Sequence, residues 1–117
     1  MVWHGILVAT GFIDEEIVHK INVIGVTTGG HWMLMKIEAH EDELEELTDV
    51  VQRCMKDNFY THFYNESGDL KVVFKDRIFD IKSDKNTWKE AVNHGLRIGI
   101  PKEQMYFYPH RFEDETY

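Results

Sequence analysis

The groups in this chain best suited to moving a proton or holding a ligand are histidines and tyrosines on β-like stretches. His4 lies in Val2–Ala9 (VWHGILVA), and Tyr60, His62 and Tyr64 alternate along Phe59–Tyr64 (FYTHFY). Imidazole titrates nearest neutral pH and a phenol donates a strong hydrogen bond. Such a set serves either acid–base chemistry or the polar end of a pocket. The other histidines are His19, His31, His40, His94 and His110, and no HExxH, HxH or Cys-x-x-Cys pattern occurs. His4 and His62, with His31 or Asp80, could gather round zinc if their strands are neighbours. Ordinary strand positions explain them more simply, so no metal and no cofactor is expected.

Nucleophilic and phosphate-binding signatures are equally sparse. Cys54, the one cysteine, falls on the apolar stripe of a helix and reads as a buried structural thiol. There is no GxSxG, P-loop or GxGxxG pattern. Thr27-Thr28-Gly29-Gly30-His31 has the glycines of an anion cradle, but it leads into an alternating strand and not into a helix. It is therefore expected to be a hairpin turn, with Gly29-Gly30 at the positive-φ positions of a type I′ turn. No catalytic residue can be assigned.

Composition narrows the partners. The 117 residues carry 13 basic and 21 acidic side chains, a formal net charge of -8, which repels phosphate backbones. The most basic stretch, Lys71–Lys89, sets six basic residues against three acidic ones, the pattern of a solvated strand surface. Tyr60, His62 and Tyr64 share a face and could stack bases, but the basic surface of an RNA-binding sheet is missing. No nucleic-acid partner is expected. No apolar run reaches the roughly 20 residues of a membrane span, and the first residues lack a basic signal region. With a lone cysteine, the expected location is the cytoplasm.

These residues need elements to position them. Val2–Ala9, apolar on both parities, suits a strand buried on both faces. Asp14–Lys20 reads as a short helix, Ile21–Thr27 as a strand, and His31–Ala39 as a third strand. Along that third strand Met33, Met35 and Ile37 share one face while Trp32, Leu34, Lys36 and Glu38 share the other. Glu41–Lys56 is the strongest helix, with Leu44, Leu47, Val51, Cys54 and Met55 in one stripe and Asp42 with Glu45 as its capping pair. Phe59–Tyr64, Leu70–Phe74 and Arg77–Lys82 form an antiparallel meander around two turns. Thr87–Glu90 reads as a capping box for a helix ending near Ile98, and Pro101 opens a further helical turn.

The assembled order predicts an α+β chain. Residues 1–64 form a ferredoxin-like split β-α-β core (βαββαβ) with an antiparallel sheet. Residues 65–117 add a β-hairpin, a helix and an aromatic, acidic tail within the same domain. Strand one then lies between strands three and four.

Trp32 and Leu34 point away from the helices of that core, so an apolar outer face needs a cover. The C-terminal helix and tail could supply it, as could a second copy or a ligand. The expected function is a homodimeric binding or regulatory module that meets a small molecule or protein through this face or the dimer cleft. The candidate surface is Trp3, His4, Trp32, Leu34, Tyr60, His62 and Tyr64. The alternative is a small dimeric ferredoxin-like enzyme with a His/Tyr acid–base pocket.

Overall fold

A computed structural model describes residues 1–12, 17, 20–29 and 32–117. Among the described residues six strands form one antiparallel sheet: β1 (Val2–Val8), β2 (Val23–Gly29), β3 (Trp32–His40), β4 (Tyr60–Asn65), β5 (Asp69–Phe74) and β6 (Ile78–Lys82). Their order across the sheet is β2-β3-β1-β4-β5-β6. Two α-helices among the described residues accompany it, α1 (Glu41–Cys54) and α2 (Lys89–Arg97). The architecture is mixed α+β. The short helix expected over Asp14–Lys20 lies largely outside the described residues.

The two helices do different work on the sheet. Leu44, Leu47, Val50, Val51 and Cys54 of α1 are buried against Leu7, Ile37, Phe63 and Val73, which project from one face. The close approach there requires a glycine. Gly5 lies opposite Phe63 on β4, and a Cβ at Gly5 would stand 2.5 Å from two carbons of the Phe63 ring. The other face carries Ile6, Tyr64, Leu70, Val72, Phe74, Phe79 and Ile81, buried beneath Trp88 and Ala91 of the α2 region and Met105 and Phe107 of the tail. We call this second surface the outer face.

Several local devices differ from the sequence expectation. The N-cap of α1 is His40, whose N–H is accepted by the Glu43 carboxylate at 3.3 Å, so the expected Asp42–Glu45 pair is not the cap. Thr87 does not cap α2. Its hydroxyl closes the turn after β6, accepting from the Lys82 N–H at 3.0 Å and donating to the Asp84 carbonyl at 2.7 Å, while Trp88 takes the N-cap position. Gly29 pairs with Trp32 as the last residue of β2, so it is not a central turn residue. Gly30 and His31, which complete that expected turn, lie outside the described residues.

Candidate functional site

Alternation along three neighbouring strands lays out the outer face as a grid. His4 of β1 stands between Glu38 of β3 and Tyr64 of β4, and Ile6 stands between Lys36 and His62. Leu34 and Trp32 continue the β3 row, and Tyr60 continues the β4 row. Of the residues predicted for the site, His4, Trp32, Leu34, Tyr60, His62 and Tyr64 therefore share this face. Trp3 does not. It neighbours His4 in the strand, so its side chain points the opposite way, into the core beneath α1.

The tail crosses this grid. Phe107, fully buried, sits against the rings of Tyr60 and Trp88. Its φ is +44°, a left-handed value that a bulky residue adopts only where its surroundings hold it. The Pro109 carbonyl accepts from His62 Nε2 at 2.7 Å. Phe112 stacks on the His4 ring at 4.1 Å between centroids and 19° between planes. Glu115 then places one carboxylate oxygen 2.5 Å from His4 Nδ1 and 2.5 Å from the Tyr64 hydroxyl. Its other oxygen lies 3.6 Å from Nζ of Lys36, itself a buried lysine. Tyr117 ends the strap beneath Lys36, whose Nζ stands 5.0 Å from its ring centroid.

Glu115 is thus held from three strands, by hydrogen bonds to His4 and Tyr64 and by an ion pair with Lys36. A buried lysine is costly without a counter-charge, and Glu115 supplies it in a site that is largely dry. On its other side, His4 Nε2 lies 3.2 Å from the Glu38 carboxylate. Burial first, and then the hydrogen bond to Glu115, pushes the Tyr64 phenol well above its ordinary value. Tyr64 accordingly stays protonated and donates. The network is a clasp for the tail.

Beside the clasp, towards the β2–β3 hairpin, the tail leaves a cavity of about 160 Å³. Its walls include Trp32, Leu34, Tyr60, His62, Tyr106 and Tyr108. The Tyr60 hydroxyl donates to the Gln104 carbonyl, and burial, with Tyr106 adding to it, pushes the phenol's pKa well above its ordinary value. Burial lowers the His62 pKa to about 4, His110 adding to the shift and the Pro109 hydrogen bond opposing it. At neutral pH His62 is uncharged. Because Nε2–H donates to Pro109, Nδ1 is the unprotonated nitrogen and can only accept.

A wider cleft of about 720 Å³ lies on the other face, between α1 and the β5–β6 hairpin. On its strand wall Lys71 pairs with Asp80 at 2.6 Å and Lys82 with Asp69, while Glu41, Glu45 and Asp49 line the wall formed by α1. Asp80, weighed above as a metal ligand with the histidines, belongs to this cleft and not to the outer face. Among the described residues no three His, Cys, Asp or Glu side chains converge as a metal site.

Lys36, Glu115 and Phe112 were not among the predicted site residues. A lysine at a buried strand position and an acidic tail rich in aromatics were the available signals. Nothing local joined them, since His4 and Glu115 stand 111 residues apart. Comparison of the chain with protein-family models, curated proteins and solved structures finds no match.

Proposed function

We propose that this protein is a homodimeric binding or regulatory module of the cytoplasm, built on a ferredoxin-like βαββαβ core, that takes a small uncharged ring compound into the outer-face cavity. The observation that carries this reading is the cavity itself: aromatic and aliphatic walls with a neutral imidazole among them. An apolar cavity near 150 Å³ accepts a molecule about the size of benzene. The cavity is smaller than the roughly 300 Å³ at which drug-sized pockets begin, so a single ring is the occupant that suits its enclosed part. Nδ1 of His62 adds a preference for a ligand with an O–H or N–H to donate. The strand order and the uncharged β2 strand support the core and the dimer, and the single cysteine supports a reducing compartment.

The enzymatic alternative has less behind it. His62 is held neutral by burial, Tyr64 is held protonated, and His4 is engaged by two carboxylates. These groups are spent on the clasp and the tail.

Titration of phenol against toluene, its isostere without the donor, tests the reading through tryptophan fluorescence. Phenol should saturate and bind about fivefold more tightly than toluene, the worth of one hydrogen bond. Leu34→Trp, which fills the cavity, should abolish both. Binding that is absent, or untouched by Leu34→Trp, would sink the proposal.

A further inference from the structure

The sheet has two edge strands, and they are built differently. β6 has five residues and carries Asp80 and Lys82, each ion-paired to β5. Short, charged edges of this kind resist pairing with another chain. β2 has seven residues, VIGVTTG, with no ionisable side chain. Val23, Ile24 and Val26 are 41–52% exposed, and Trp32 and Met33 at the start of β3 are 41–45% exposed. These five are most of the nine exposed large apolar side chains among the described residues. Tyr117 of the tail reaches β2 only on its outer face, lying 3.2 Å from where a Cβ on Gly25 would stand.

We propose that β2 is the surface on which a second copy of this chain binds, its own β2 running antiparallel across a two-fold axis to join the two sheets. The proposal rests on the homodimer put forward above and assigns its interface. Charge favours a second copy. Each chain carries a net -8, so two copies repel unless they meet where neither presents a charge. From Val23 to Gly29 no side chain of the strand is ionisable, and the nearest cation, Lys36, lies beside Tyr117 against Gly25 on the outer face. A two-fold pairing also sets each strand against itself, so β2 needs no complement but its own uncharged sequence. The backbone register with β3 shifts between Val23 and Gly25 and runs regularly from Gly25 to Gly29.

Area sets the strength. A seven-residue strand is about 23 Å long, and a sheet with its side chains is about 10 Å deep. Pairing then buries about 500 Å² over both copies before Trp32 and Met33 are added, short of the roughly 1,200 Å² of a standard stable interface. The dimer is therefore a weak, reversible one that separates on dilution.

Sedimentation velocity from about 1 to 200 μM tests this with the whole chain. The wild type should pass from monomer to dimer across that range. Val26→Lys and Ile24→Lys, at exposed positions, should weaken association at least tenfold while circular dichroism melts stay close to wild type. Asp80→Asn on β6 should leave association unchanged. A wild type that stays monomeric throughout would overturn both the homodimer and this interface. A dimer that both lysine variants leave intact would overturn the β2 assignment alone.

Discussion

The two faces of the sheet are covered by opposite means. Beneath α1 the contact is dry and apolar: Leu7, Ile37, Phe63 and Val73 meet a helix stripe. On the outer face, α2 covers β5 and β6, but β1, β3 and β4 are covered by a tail whose hold includes Glu115, Lys36, His4 and Tyr64. An apolar contact improves with every methylene buried and asks little of geometry. A charged clasp balances a desolvation cost against a few hydrogen bonds, so its net worth is smaller and its dependence on each partner sharper. The contrast teaches how each face answers to change: the helix face through lost packing, and the tail face through the loss of a single polar partner.

The largest effect should come from the helix face. Phe63→Ala removes a fully buried ring that fills the space above Gly5, and should cost about 4 kcal/mol in urea denaturation. A loss near 1 kcal/mol would mean that the face is not the tight contact described.

Acid should act next, and on the tail face it acts through His62. His62 has a folded pKa of about 4 against 6.5 unfolded, so between those values the unfolded chain binds the extra proton. Stability attributable to His62 is full above about pH 6.5, falls as pH drops towards 4, and changes no further below that. The span corresponds to about 3 kcal/mol. His62→Gln should flatten that part of the pH–stability curve, measured by denaturant melts. An unchanged slope would show that the imidazole is not held neutral.

The smallest of the three effects is the clasp itself. Glu115→Ala leaves Lys36 without its counter-charge, but the ion pair is loose at 3.6 Å and the carboxylate is partly accessible. A cost of about 2 kcal/mol is expected, below the figure for a sealed pair. The double change Glu115→Ala with Lys36→Met should cost less than the single one, because the methionine leaves no charge to bury. If the double variant is the less stable of the two, the clasp is not an ion-pair device.

Legibility in the sequence followed the range of the interaction. The α1 stripe is written at spacings of three and four, and the alternation Trp32–Glu38 told which side chains share a face. The same parity rule excluded Trp3 from the face of His4, although chemical type grouped them together. Caps were less legible, because His40 and Trp88 occupy positions where short polar residues are the rule. The clasp was least legible of all, since Glu115 acquires a role only when a tail from the far end of the chain lies across β1.

By itself, then, the amino-acid sequence determined the periodic elements, the two-sided burial of β1 and the need for a cover over Leu34, because each follows from side-chain spacing within one segment. Only the tertiary structure decided that the tail is the cover over the β1–β4 region, that Lys36 and Glu115 meet there, and that His62 is neutral. Those outcomes depend on which distant groups exclude water from one another, and burial of that kind exists only once the chain has closed on itself.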